Sequence, residues 1–473
     1  MIVDLETAGA ERRPSLGRIR LRSVVIVTAV ITVVVGIVAF AFFLFASRAA
    51  LPGDPSIYQK RVAHAFATGN LVENPYQEGS TTIGSSQWND CLIIVMAMDQ
   101  RGDRARLALS PILMDFGTAP SVSTNPCAVL SALNKGATPN DNLYYYDNYP
   151  HGAVVLLRHL LPYRNIDRIR AAYRTMLTLT LVLSLALAMF GLARGQNTRA
   201  FAVIAVTSVA LMRYFGLESF SQSLGHGPAD AIIGAYTAAL AAMAFRPAGL
   251  VLAVFASAVF GVLTMIFELF TGGVPLGLAM VVGLTPFVVA PAIRPTIAAS
   301  AAAAAFLGAG AVFYLVKMAA AVMVAGSGIA SDALTEALRL TIFVPHGVLK
   351  DGTGFAVALR ETGLSMGVLT GGMHLLSTAT IAIALVAGGY GLLRLLRRER
   401  SPVIREQALI LALSSVIPPL WCIFFLNLMI YHAWFTDRIF VWWIAAGFGL
   451  FLTGLFSREG QSNRLDVVEQ RAG

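Results

Sequence analysis

Apolar runs long enough to cross a bilayer, separated by short segments rich in Arg, Gly and Pro, dominate the chain. Such a run needs about 18 residues or more, because a helix rises about 1.5 Å per residue across a hydrocarbon core about 30 Å thick. The pattern predicts ten spans, near 23–46, 175–193, 200–215, 229–245, 248–267, 274–293, 296–324, 371–393, 406–430 and 439–456. Two longer intervals interrupt the series, 47–174 and 325–370. Within the first, the run Cys91 to Met98 is too short to span, and Ala153 to Leu161 is broken by Arg158 and His159. Both are expected as buried or interfacial helices lying along the membrane surface, with ordered loop from Ser121 to Tyr149 between them. In the second interval one amphipathic helix is expected around Ala333 to Thr341. No repeat of fixed period is visible, which weakens an inverted-repeat transporter reading.

A length of 473 residues would suggest about three soluble domains. Composition rejects that: AVILMFWYC residues make up 56%, charged residues 13%, and mean hydropathy is +0.70. The expected fold class is an all-α polytopic membrane protein of about ten transmembrane helices. Its parts are an N-terminal tail (1–22), a first span (23–46), a large outer loop (47–174), a bundle (175–456) and a C-terminal tail (457–473).

The net charge of +9 does not point to nucleic acid, because the basic residues follow a topological pattern. Arg12, Arg13, Arg18, Arg20 and Arg22 precede the first span. Arg194 and Arg199, then Arg246, then Arg294, then Arg394, Arg397, Arg398, Arg400 and Arg405, and finally Arg458, Arg464 and Arg471 mark every second connection. The positive-inside rule puts both termini in the cytoplasm and the long loop outside; long loops are exempt from the count. The first run lacks a small-x-small site after Ser47 and is expected as an uncleaved anchor. Cys91 and Cys127 both fall in the outer loop, where an oxidising compartment permits a disulfide, while Cys422 lies in a span. Spacing alone leaves a bond and two free thiols equally open.

Reactive groups collect on the outer side. All seven histidines, His64, His151, His159, His226, His346, His374 and His432, fall in outer loops or at outer span ends, as do Glu218, Asp230, Glu268 and Asp437. An ionisable group at the edge of an apolar span is expensive and usually has a task. Asp54, in Leu51-Pro-Gly-Asp54-Pro55, reads either as a carboxylate held at a fixed depth or as a helix N-cap. Tyr144 to Gly152 packs Tyr146, Tyr149, Asp147 and His151 together, which suits an interface belt and equally suits stacking on sugar faces. Glu268 lies between Phe267 and Phe270, just before Gly272 and Gly273, and reads as a ligand for substrate hydroxyls or a cation, or as a snorkelling surface acid. Asn427, Tyr431, His432, Trp434, Asp437 and Arg438 crowd the last outer turn. Arg438 can bind phosphate through two parallel hydrogen bonds, or pair with Asp437 or a lipid headgroup. His226-Gly-Pro-Ala-Asp230 opens another span in a weaker version of the same pattern. A Walker-type loop, zinc spacing and a nucleophile elbow are all missing from the sequence, so a lipid-borne donor fits better than a soluble nucleotide sugar.

A first span leaving the cytoplasm, a large first outer loop with interfacial helices and a carboxylate soon after that span resemble the GT-C superfamily of integral membrane glycosyltransferases. The strings Tyr149-Pro-His151-Gly-Ala-Val-Val-Leu-Leu-Arg158, Phe267-Glu268-Leu-Phe-Thr271 and His432-Ala-Trp-Phe-Thr-Asp-Arg438 are similar to those of bacterial polysaccharide-locus membrane proteins. The resemblance implies inverting sugar transfer from a polyprenyl-phosphate donor to a glycan or lipid acceptor, at the periplasmic face of a bacterial inner membrane. It implies Asp54 as general base; paired acids seen in some relatives are missing beside it, which leaves Asp90 as the alternative. Arg438, helped by His432, His151 or Arg213, is expected to bind donor phosphate. Tyr146, Tyr149, Glu268, His226, Asn427 and His374 are expected to line the substrate site. No cofactor is required, although Glu268 with a His is able to hold a divalent metal. The competing expectations are a transporter or flippase for a lipid-linked or small anionic substrate, and a ligase or polymerase of lipid-linked glycan.

The topology is directly testable. Alkaline phosphatase fused after Gly136 is expected to be active and fused after Arg398 inactive; the reverse result would invert the sidedness of every candidate residue.

Overall fold

The computed structural model describes residues 21–51, 55–74, 86–114, 125–214, 223–268, 272–341, 374–428 and 437–456. Among these, eight helices are long and apolar enough to cross a membrane. Two shorter apolar helices, Thr198–Met212 and Gly273–Val288, lie among them.

The first span, α1 (Leu21–Ala50), buries a stripe of Val24, Thr28, Thr32, Gly36, Phe40, Phe43 and Ser47. Its other faces expose Val25, Ile26, Val30, Val34, Phe42 and Phe45, the all-round apolar surface of a helix solvated by lipid. The segment between the first span and the bundle, expected from the sequence to be the outer one, then forms α2 (Pro55–Ala67), α3 (Ser86–Met98), a single turn α4 (Arg104–Leu107), α5 (Pro126–Asn134) and α6 (Gly152–Leu160). Two short strands, β1 (Ile112–Leu113) and β2 (Tyr144–Tyr145), pair antiparallel with Ile112 opposite Tyr145. The bundle continues through α7 (Ile166–Ala193), α8 (Thr198–Tyr214), α9 (Gly227–Phe245), α10 (Leu250–Phe267), α11 (Gly273–Val288) and α12 (Pro295–Ala325). An amphipathic α13 (Gly328–Arg339) follows, then α14 (His374–Arg398), α15 (Pro402–Ser414), α16 (Ile417–Phe424), a 3-10 turn (Asp437–Phe440) and α17 (Val441–Phe456).

Inside lipid there is little hydrophobic drive to bring helices together, so close packing depends on small residues. A Cβ on Gly261 of α10 would stand 2.0 Å from the Phe306 carbonyl oxygen of α12, and one on Gly447 of α17 would stand 2.3 Å from the Ala384 oxygen of α14. Only glycine permits backbones that near.

The outer segment has its own core, including Tyr58, Val62, Ile94, Val95, Val129, Leu130, Val154 and Leu157. Cys91 and Cys127 form a disulfide within it, their Cα atoms 5.0 Å apart. Buried Arg158 closes the end of α3, donating to the carbonyls of Met96 (3.0 Å) and Ala97 (3.4 Å), where the helix leaves acceptors unsatisfied and a cation is favoured.

Several expected boundaries move. The helix that carries the span expected at 175–193 begins at Ile166, nine residues earlier, within the stretch 47–174. Arg168 and Arg174 stay on exposed faces of α7 while Arg170 turns inward, and charges that end an apolar run need not end a helix. The stretch Ser121 to Tyr149 is not all loop: it contains α5, started by an Asn125 cap that accepts from Ala128 N–H, and β2. The span expected at 274–293 stops at Val288. The span expected at 406–430 is divided into α15 and α16, since Pro418 and Pro419 supply no N–H to carry the first helix onward.

The disulfide closes a loop with a sequence separation of 36, for which chain entropy contributes about 4 kcal/mol. Cys91→Ser with Cys127→Ala is expected to lower the thermal midpoint of the outer segment in detergent. Reductant should produce the same drop in the wild type and none in the variant.

Candidate functional site

Three helix ends meet on the side of the bundle opposite the Arg246 and Arg294 connections. Asp230 sits in the first turn of α9, where the helix dipole favours a carboxylate. Glu268 follows the last residue of α10, where the dipole disfavours one, and its own N–H is bonded to the Thr264 carbonyl at 2.8 Å. Arg438, on the 3-10 turn before α17, reconciles the two. Its Nη1 donates to Asp230 Oδ1 at 3.2 Å and its Nη2 pairs with Glu268 Oε1. All three side chains are 4% exposed or less.

His226 completes the group. Its Nδ1 is 3.9 Å from Glu268 Oε1, and its Nε2 is 3.1 Å from Nδ2 of Asn89 on α3. The ring thus lies between the Asn89 amide on one side and the Glu268 carboxylate on the other. The turn after Glu268 makes room for its carboxylate: Gly272 has φ +110°, and a Cβ on Gly273 would lie 3.0 Å from Glu268 Oε2.

A second group abuts the same end of α10. Tyr146, Tyr149 and His151 have ring centroids 5.0–6.0 Å apart. His151 is left-handed (φ 60°) and its Nε2–H donates to the Tyr146 carbonyl at 2.7 Å. Burial, with Lys317 nearby, pushes this imidazole down to about 3, so it is neutral at ordinary pH. From α12, Tyr314 donates to the Asn148 carbonyl at 3.1 Å and Lys317 donates to the Asp147 carbonyl. The next residue, Gly152, presses on Ile266 and Phe267, which ties the aromatic group to the strand of chain that carries Glu268.

Asp90 is placed differently. Its two oxygens accept from Arg170 Nε (3.0 Å) and Nη2 (2.8 Å), Ser223 Oγ (2.8 Å) and Leu224 N–H (2.7 Å). It clamps α3, α7 and the approach to α9 together, a positioning arrangement two residues before the turn that presents His226. Asn427 does not join Arg438; it donates to the carbonyls of Arg339 (2.9 Å) and Thr341 (2.7 Å) and fixes the end of α13. Arg438 takes its carboxylates from two other helix ends, Asp230 and Glu268. Asp54 and His432 lie outside the described residues, as do the side chains of Arg213, His374 and Asp437.

Among the described residues no three His, Cys, Asp or Glu side chains are grouped to hold a metal. The cation between the two carboxylates is the Arg438 guanidinium. The sequence pattern did not single out Asn89, Arg170 or Lys317. Lys317 carried a usable signal, a lone charge inside an apolar run; Asn89 and Arg170 carried none, since their partners lie in distant segments.

Removing one partner of a buried ion pair costs about 3–5 kcal/mol, because a charge is left uncompensated. Arg438→Met is therefore expected to destabilise the bundle strongly. Neutralising both carboxylates in the same chain, with Asp230→Asn and Glu268→Gln, should recover most of the loss in thermal unfolding. If Arg438→Met unfolds at the wild-type temperature, the cluster contributes nothing to the fold.

The chain matches no protein-family profile, no curated protein and no solved structure, so its activity has to be argued from the chemistry of this site.

Proposed function

We propose that the chain is a membrane glycosyltransferase. It moves a sugar from a polyprenyl-phosphate donor to a cell-envelope glycan or lipid acceptor, at the periplasmic face of a bacterial inner membrane. In this reading ten helices span the bilayer and both termini are cytoplasmic. The observation that carries it is the buried Asp230, Glu268, Arg438 and His226 cluster, set beside an aromatic group at one end of an otherwise apolar bundle.

The chemistry follows from the pairing of Glu268 with Arg438. Glu268 accepts the acceptor hydroxyl proton as that oxygen attacks the anomeric carbon, and the bond from that carbon to the phosphate oxygen breaks with its electron pair leaving on phosphate. As Glu268 gains the proton it loses its negative charge. Arg438 is thereby released to face the phosphate when the phosphate charge grows, in a site with little water to screen it. Asp230 keeps the guanidinium in place, and His226 flanks the glutamate. Tyr146 and Tyr149 offer ring faces to a sugar. No step needs a cofactor.

The deciding assay is transfer from radiolabelled polyprenyl-phosphate sugar by purified protein in detergent. Glu268→Gln is expected to lower turnover about 100-fold or more. If Asp54→Asn abolishes transfer while Glu268→Gln retains it, the base is Asp54, as the GT-C resemblance implies. Failure of the wild type to transfer any sugar would sink the reading. One observation favours a second reading, movement of a lipid-linked substrate: α15 and α16 are two pieces of one broken helix, a form common in transporters. Flipping of lipid-linked sugar by the protein in liposomes, without transfer, would select it.

A further inference from the structure

The helices α1 and α12 touch near their middles and part toward the end that carries Arg22 and Arg294. At the crossing, a Cβ on Gly36 would lie 2.7 Å from Val312 Cγ1, and one on Gly308 would lie 2.6 Å from Thr32 Cγ2. Below it the two helices leave a groove of about 510 Å³, walled by Val24, Val25, Ala29, Ile297, Ala301 and Ala304.

Four hydroxyl-bearing residues also line it, Thr28 and Thr32 one helical turn apart on α1 and Thr296 and Ser300 on α12. Thr28 and Thr32 are 7% and 9% exposed, and neither hydroxyl has a hydrogen-bond partner among the described residues. Four other buried threonines, Thr207, Thr237, Thr264 and Thr453, donate to the carbonyl four residues earlier, whereas Thr285 does not. A buried hydroxyl in hydrocarbon is costly without a partner, so the groove suits an occupant with polar acceptors at the depth of Thr28 and an apolar remainder. The mouth defines its charge. Arg22 and Arg294 are exposed there, and the acid Glu406 is held by the Thr296 backbone N–H at 2.9 Å.

We propose that this groove binds one anionic diacyl phospholipid. Its phosphate sits at the arginine mouth, its ester carbonyls accept from the Thr28 hydroxyl nearer that mouth, and its acyl chains pass Thr32 and leave the cleft where Gly308 closes it. The site lies at the opposite end of the bundle from the Glu268 cluster and does not depend on what that cluster does.

Native mass spectrometry of the full chain, titrated with phosphatidylglycerol or phosphatidylcholine, tests it. The wild type is expected to hold one phosphatidylglycerol and to bind phosphatidylcholine about 10-fold more weakly or worse. Ala304→Trp should fill the cleft and abolish the retained lipid. Arg22→Gln with Arg294→Gln alters only exposed side chains, which keeps the test decisive if the tryptophan variant fails to fold; it should make the two lipids bind alike. Thr28→Val with Thr32→Val should weaken both. Equal binding of the two lipids to the wild type would overturn the proposal. So would undiminished phosphatidylglycerol on Ala304→Trp, or a polyprenyl phosphate that displaces phosphatidylglycerol from the wild-type groove.

Discussion

The arrangement of the bundle end that carries Glu268 depends on a single guanidinium. Two carboxylates buried at helix termini would repel one another and face a large desolvation cost, most of all Glu268, which sits at the unfavourable end of its helix dipole. Arg438 offsets both at once. Because the three groups come from the start of α9, the end of α10 and the approach to α17, their pairing fixes three distant parts of the chain at one height. Arg is suited to this where Lys is not, since a planar fork satisfies two acceptors in separate directions.

Around that centre the structure is layered by how each group is satisfied. The helix α3 presents consecutive polar residues to separate partners: Asn89 to His226, Asp90 to Arg170 and Ser223, and Cys91 to Cys127. A short helix that is unremarkable in hydropathy thus joins the outer segment to the bundle. The aromatic group is held in a similar way, through backbone carbonyls at 146, 147 and 148 that accept from His151, Lys317 and Tyr314.

Much of the fold was legible in the residue pattern, because a bilayer leaves few ways to arrange apolar runs and charges. The apolar helix before Arg48 and the amphipathic helix near Ala333 both follow from that constraint. What escaped was set by pairing rather than pattern. The amphipathic start of α7 was hidden because Arg168, Arg170 and Arg174 look like the end of a span, although one points inward and two point outward. The site was legible in part: Glu268, Asp230, His226 and Arg438 stood out as ionisable groups at apolar edges. Their mutual contact did not, since local sequence offered Asp437 as an equally good partner for Arg438. Asn89 was invisible, being one polar residue in a polar stretch.

The length of α7 has a mechanical consequence. Its 28 residues extend about 42 Å, well beyond a core of about 30 Å, and the excess rises into the outer segment where Arg170 grips Asp90. The height at which the outer segment rides above the bilayer is therefore set by a rigid rod rather than by slack connections. A thicker membrane would be met by a change in tilt of that rod, and the tilt would be transmitted through Asp90 to the turn bearing His226. Asp90 thus joins the end of that rod, at Arg170, to the turn bearing His226, at Ser223 and Leu224.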